Sequence, residues 1–504
     1  MGYFSSLLPS GKVSFHHAPT ALRLALKPSS SSSSSQKDEE GEEDQDQDQE
    51  QQYISLPDLC KASTPQKCQL NPLLFNGHLQ TAYTVVKNDD VPIYYKRWTF
   101  QANNAAYSGS FDVDFVVPPY ETPLADDTST SPGAQETMIN ETPKDTTTTA
   151  APQRLPPRTS FFTAEEFAAL PSATDTKPML VVLHGLSGGS HEIYLRHVIA
   201  PLLEAGWAAC VLNFRGCAQS RITSPILYNA RATWDVRQIV GWVREAFPQR
   251  KLFGIGFSLG ANILTNYLGE EGASCPLAAS VICSSPWNLE VTSLALQRTW
   301  LGLEVYSKTM GSNMKKLFEL HVDEISKHPR INVERVRNIK YLHEFDRELQ
   351  GPVWGYPTET AYYRDASSVD SIFAIKIPFF VIQAEDDPIS VKEALPYNEI
   401  KRTPYGVMCT TSWGGHLSWF EYGGTRWFTK PITTFLTKMA TEIDLDAPYK
   451  IEGDLDPREK NQGIYPQDAN VDPTLNFVPM RRKLELPIVP FSGMEKSTGA
   501  DLDN

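Results

Sequence analysis

Cysteine is scarce in this chain of 504 residues, and the seven that occur (60, 68, 210, 217, 275, 283 and 409) are odd in number and widely scattered. With no CxxC pair and no Cys/His cluster of zinc spacing, the pattern excludes a disulfide framework and a structural zinc site, and it favours a reducing compartment. Long apolar runs are also missing: none reaches the roughly 18–20 residues that span a bilayer. Nor is there a Lys/Arg stripe that could follow a phosphate backbone, which argues against nucleic-acid binding. The net charge of −14 is mostly local, because residues 37–50 hold nine acids and one Lys. Residues 28–52 contain no aromatic and no branched aliphatic side chain, so they cannot bury enough apolar area to offset chain entropy.

These shortages divide the chain. Residues 1–55 are expected to form a disordered arm, basic and acid-free over 1–27 (Lys12, Arg23, Lys27) and strongly acidic after it. The start, Met1-Gly2-Tyr3-Phe4-Ser5-Ser6, fits a bare myristoylation pattern, with the bulky residues after the glycine arguing against it. Residues 121–159, rich in Asp, Thr, Ser and Pro, read as a flexible insertion whose sequon at Asn140 is expected to stay unglycosylated. Residues 446–504 read as a surface tail. A folded domain over 56–445 remains, expected to be intracellular, either cytoplasmic or peripherally membrane-associated.

Within that domain, short apolar runs alternate with helical periodicity from about residue 177. Met179–Leu183 ends in His184-Gly185, Ala208–Leu212 in Asn213-Phe214-Arg215-Gly216, and Leu252–Phe257 in Ser258. Ala278–Cys283, Pro378–Ile382 and Gly406–Thr410 follow. Between them lie stretches such as 232–247, where Val236, Ile239, Val240, Val243 and Phe247 recur every three or four residues. Strands that are continuously apolar are buried on both faces, so the pattern predicts an α/β fold with a mostly parallel, doubly wound sheet. The alternation breaks over 287–377, which is too long for a loop and is expected to be a helical cap.

The chemistry gathers at strand ends. Gly256-Phe257-Ser258-Leu259-Gly260 follows an apolar strand and precedes a helix-compatible stretch, so Ser258 is the candidate nucleophile at a sharp strand-to-helix turn. A serine needs a base, and the base needs an orienting acid. His416 follows the last strand after Gly414-Gly415, and Asp386-Asp387 closes the strand before it, giving the chain order Ser, acid, His of α/β-hydrolases. Adjacent residues point to opposite sides, so only one aspartate can meet the imidazole. Asp387, next to Pro388, is favoured, with Asp386 as the alternative. The glycine-rich loop 184–190 offers the Leu186 N–H, and the elbow offers the Leu259 N–H, as oxyanion donors.

These residues resemble those of the fungal medium-chain fatty acid ethyl ester synthase/esterase family, within the YheT-like α/β-hydrolases of the AB hydrolase 4 family. The matching stretches are NPLLFNGHLQT (71–81), VVLHGLSGGSHE (181–192), VLNFRGC (211–217), FPQRKLFGIGFSLGANILTNYLGEEG (247–272), SSPWNLE (284–290), AYYRDASSVD (361–370), IPFFVIQAEDDPI (377–389) and GGHLSW (414–419). They extend the resemblance over about 70–443. The resemblance implies an α/β-hydrolase fold and a triad of Ser258, Asp387 and His416. It implies an enzyme that moves an acyl group from an acyl-CoA or acyl ester to a small alcohol or to water, without a metal or organic cofactor. Phe257 and Leu259 depart from the Thr or Ser before, and the Phe or Met after, the serine that related sequences often carry, which leaves substrate choice open. A general lipid esterase, or a hydrolase or acyltransferase working on a polyketide or other acyl intermediate, shares the same motifs. An apolar cap with Trp300, Leu301, Leu303 and Val305 is expected to hold a medium-length acyl chain.

Overall fold

Strand side chains alternate between two faces, so a strand apolar at every position must be covered on both. That is how the centre of this protein is built. The computed structural model describes residues 10–28, 51–87, 90–120, 155–451 and 480. Its strands are β1 (Val13–His17), β2 (Leu22–Ala25), β3 (Tyr53–Ser55), β4 (Tyr94–Gln101), β5 (Ser110–Val117), β6 (Thr159–Phe161) and β7 (Met179–Leu183). They continue with β8 (Ala208–Asn213), β9 (Leu252–Phe257), β10 (Leu277–Cys283), β11 (Phe379–Ala384), β12 (Gly406–Thr411) and β13 (Lys450–Ile451).

The large sheet runs in the order β1-β12-β11-β10-β9-β7-β8-β5-β4-β6, and the stretch from β12 to β8 is parallel throughout. Along β7, Met179, Val181 and Leu183 join one core cluster while Leu180 and Val182 join the cluster on the other face. β11 divides the same way, with Phe379 and Val381 on one side and Phe380, Ile382 and Ala384 on the other. Helices Ile193–Glu204, Thr233–Ala246, Leu259–Glu271 and Thr429–Thr441 supply the covering residues. Each fully buried aliphatic or aromatic side chain contributes roughly 1.5–3 kcal/mol.

The cap expected over 287–377 is helical, running from Leu289–Arg298 through to a short turn at Asp370–Ala374. Asn288 starts it by accepting the N–H of Val291 at 3.1 Å. Two of its segments, Leu301–Ser307 and Asp346–Gln350, are π-helical. Among the described residues no helix is long and apolar enough to cross a membrane.

Three boundaries need correction. Part of the arm 1–55 is ordered: β1 pairs antiparallel with β12, and β2 pairs with β3 and β13. The reason is that β12 would otherwise leave a bare parallel edge, and period-two apolar residues in the arm (Val13 and Phe15, Leu22 and Leu24) supply a face to bury. The insertion expected over 121–159 gives way to structure before its end, since Thr159 opens β6 alongside β4; residues 121–154 lie outside the described residues. The tail expected from 446 begins with β13, and most of the rest also lies outside them, as do residues 29–50.

Candidate active site

In a parallel sheet all strands end at the same edge, so turns after neighbouring strands converge. Ser258 follows β9, Asp386 and Asp387 follow β11, and His416 follows β12, with β10 between the first two. The Ser258 N–H donates to Cys283 O of β10 at 2.9 Å, which pins the turn to the next strand. Ser258 has φ +51° and ψ −119°, a conformation that costs a non-glycine residue roughly 1–3 kcal/mol. The glycines beside it make the turn possible. A Cβ on Gly256 would lie 2.5 Å from Gly260 O, and one on Gly260 would lie 2.3 Å from His184 O, so neither position admits a side chain.

The structure brings Ser258, His416 and Asp387 into one relay. His416 Nε2 is 2.9 Å from Ser258 Oγ, and His416 Nδ1 is 2.8 Å from Asp387 Oδ2. The second carboxylate oxygen of Asp387 accepts the N–H groups of Ile389 and Ser390, both at 2.8 Å. Both oxygens therefore act as acceptors, and the Asp387 side chain is fully buried. Asp386 turns away: its Oδ1 accepts the Gly415 N–H at 3.0 Å, on the loop that carries His416. Burial, opposed by the Gly415 N–H and reinforced by neighbouring Asp387, pushes the Asp386 carboxyl up to about 6.

The loop 184–190 passes beside the serine, since a Cβ on Gly185 would lie 3.4 Å from Ser258 Cβ. Two tyrosine hydroxyls hold it. Gly185 N–H donates to Tyr194 Oη at 2.8 Å and Ser187 N–H to Tyr228 Oη at 2.9 Å. Between these anchored amides lies Leu186, whose N–H, like that of Leu259 in the first turn of its helix, meets no acceptor among the described residues. His184 only braces the loop. Its Nε2 accepts the Phe214 N–H at 3.1 Å, and complete burial lowers its pKa to about 3, so it stays neutral.

The segment 71–81, which matches the resembling family but carries no chemistry of its own, acquires a role in the structure. Asn76 caps helix Gly77–Val86. From that helix Thr81 Oγ1 accepts the His416 N–H at 2.9 Å and Gln80 Oε1 accepts the Phe420 N–H at 2.7 Å. The histidine loop, with Leu417 and Trp419 both at positive φ, is held by a helix some 330 residues earlier in the chain. Only tertiary pairing reveals this, because Gln and Thr in a helix carry no chemical signature of their own.

Ser258 lines a cavity under the cap, about 780 Å³ with its space open to solvent included, together with Leu186, Leu259, Leu289, Leu296, Met310, Met314 and Leu342 among others. The four cap residues expected to form it do not. Trp300 is 72% and Leu301 41% exposed, and neither they nor Leu303 nor Val305 line the cavity. Apolar character alone does not fix which cap residues face the site: Leu301–Ser307 is a π-helical turn, and the cavity is lined by residues before it, from Leu289 to Leu296, and from its last residue onward, from Ser307 to Met314. Tyr306 makes a surface contact instead, its Oη 2.8 Å from His78 Nδ1, joining cap to helix Gly77–Val86.

A family model described as "alpha/beta hydrolase fold" matches residues 178–418, which contain the whole relay. A monoacylglycerol lipase of Saccharomyces cerevisiae is 34% identical over 405 residues, covering 77% of this chain and 86% of that protein. The chain belongs to the α/β-hydrolase family. Medium-chain fatty acid ethyl ester synthase/esterase 2 of the same yeast is 31% identical over 392 residues, 73% of this hydrolase and 85% of the relative. Mouse phospholipase ABHD3 is 32% identical over 249 residues, 49% of this hydrolase and 59% of the relative.

Proposed function

We propose that this hydrolase is a serine esterase and O-acyltransferase that forms or hydrolyses medium-chain fatty acyl esters through an acyl-enzyme on Ser258. One observation carries the proposal: Ser258, which lines a mainly apolar cavity, is hydrogen-bonded through His416 to Asp387. His416 Nε2 takes the Ser258 proton as Oγ attacks the acyl carbonyl, while Asp387 holds Nδ1–H and stabilises the imidazolium. The Leu186 and Leu259 N–H groups receive the tetrahedral oxyanion, having no other acceptor to give up. Collapse expels the thiol or alcohol, which His416 protonates. The acyl-enzyme then passes its acyl group to an alcohol or to water, whichever His416 next deprotonates.

The relatives' names favour this substrate range, since they include a lipase and an ester synthase/esterase acting on medium-chain fatty acyl groups. A lipid surface is the proposed place of work. Exposed Leu73 and Phe75 precede the helix that carries His78, and exposed Trp300 and Leu301 precede Tyr306, so the two apolar groups flank the His78–Tyr306 contact. The test is to supply decanoyl-CoA or decanoyl esters with and without ethanol, and to measure ester, free acid and released thiol separately. Ethyl ester formation supports acyl transfer. Free acid alone, at every ethanol concentration, reduces the activity to hydrolysis, and no product from any donor overturns the proposal.

A further inference from the structure

The cap wall of the cavity carries polar groups that the acyl-transfer chemistry does not use. His343, Asp346 and Gln350 follow one another at spacings of three and four, across the junction between helix Leu342–Phe345 and the π-helical turn Asp346–Gln350. Thr292 reaches the same cavity from helix Leu289–Arg298. Thr292, Asp346 and Gln350 are 6%, 7% and 3% exposed. Thr292 Oγ1, His343 Nδ1 and Gln350 Oε1 are all buried without a protein hydrogen-bond partner among the described residues. Unpaired buried polar atoms are uncommon and destabilising. Others occur among the described residues, and these three are set apart by belonging to residues that line one cavity.

The groups are also held in place. Gln350 Nε2 donates to Tyr228 O at 3.0 Å, which leaves Oε1 as the free end of the amide. Tyr363 Oη donates to Asp346 Oδ2 at 2.6 Å. Burial, reinforced by Glu359 and opposed by the Tyr363 hydroxyl, pushes the Asp346 carboxyl up to about 7. The set is rich in acceptors: an amide oxygen and a carboxyl, with a hydroxyl and an imidazole able to act either way. Among the described residues no Lys or Arg lines the cavity to meet an anion, and most of its exposed lining is apolar, with Asn229, Ser293 and Ser307 as further neutral polar residues. A neutral group with O–H bonds satisfies such a set, whereas a phosphate would meet a carboxyl and an amide oxygen.

We infer that Thr292, His343, Asp346 and Gln350 form a hydroxyl-binding subsite in the cap wall, so that the preferred substrate is an uncharged ester carrying a free hydroxyl as well as an apolar chain. The inference rests on the ester chemistry proposed for Ser258, and its test separates the two. Binding is measured by calorimetry on Ser258→Ala, with 1-O-decylglycerol and 1,10-decanediol against decyl methyl ether, none of which can be turned over. At least one hydroxylated ligand is expected to bind tenfold more tightly than the ether. Thr292→Val, which is isosteric and removes only an unpaired hydroxyl, is expected to cut that preference about threefold, and Gln350→Leu added to it to abolish the preference.

Turnover of glycerol 1-decanoate, ethyl 10-hydroxydecanoate and ethyl decanoate then tells which side of the ester bears the hydroxyl. A preference for the first assigns the subsite to the alcohol side, and for the second to the acyl side. Equal binding of hydroxylated and bare ligands, or a preference that survives in Thr292→Val with Gln350→Leu, overturns the inference. A binding preference in an enzyme that turns over no ester keeps the subsite and removes the Ser258 chemistry.

Discussion

Replacing Asp387 by Asn tests the relay through the geometry of two oxygen atoms. Asp387 Oδ1 accepts two backbone N–H groups at 2.8 Å, while Oδ2 faces His416 Nδ1 at 2.8 Å. An asparagine has a single acceptor oxygen, and the two N–H groups claim it. Its NH₂ is then turned to His416 Nδ1, which must become an acceptor, so the ring proton moves to Nε2, which can no longer accept the Ser258 proton. The same tautomer error lowers kcat about 10⁴-fold in serine proteases, about 5.5 kcal/mol of transition-state stabilisation. Asp386→Asn differs, because an amide oxygen can still accept the Gly415 N–H, and a carboxyl raised to about 6 by burial is removed. The assay is kcat on a soluble decanoyl ester, with the fold checked by circular dichroism. Asp387→Asn should lose about four orders of magnitude and Asp386→Asn less than one. The reverse ranking would make Asp386 the acid, and mild losses in both would refute the relay.

Other outcomes follow from the same contacts. Ser258→Ala should stay folded and lose labelling by a fluorophosphonate probe, and labelling that persists would place the nucleophile elsewhere. Thr81→Val removes the acceptor of the His416 N–H, a loss of about 1–3 kcal/mol that should lower kcat between about five- and hundredfold with KM little changed; Thr81→Ser should restore it. Because the Asp346 carboxyl is held at about 7, above its value in the unfolded chain, it favours folding at low pH and loses that contribution as pH rises through about 7. Urea denaturation should therefore show the stability of wild type relative to Asp346→Asn falling between about pH 4 and pH 7, and a flat difference would contradict it. Trp300→Ser, at a site 72% exposed, should weaken co-sedimentation with neutral phosphatidylcholine vesicles without changing turnover of a soluble ester. Unchanged sedimentation would remove Trp300 from the proposed lipid contact.

The central strands, their order of chemistry and the residues of the relay were legible in the sequence because each depends on local physics. A doubly covered strand is apolar along its length, as Met179–Leu183 and Phe379–Ile382 are, and the elbow needs Gly256 because its own helix, at Gly260 O, leaves no room for a side chain. Other features depended on partners far along the chain. β1 is a strand because β12 offers it an edge, and Gln80 and Thr81 matter because the His416 loop docks on their helix. The cavity wall was expected at Trp300, Leu301, Leu303 and Val305 and is formed by Leu289, Leu296, Met310, Met314 and Leu342 instead, because which apolar residues of the cap face the site depends on how the cap docks and not on their being apolar. The unpaired atoms of Thr292, His343 and Gln350 emerge only when the cap closes over the strand ends, since burial and the absence of a partner are properties of packing and not of any residue alone.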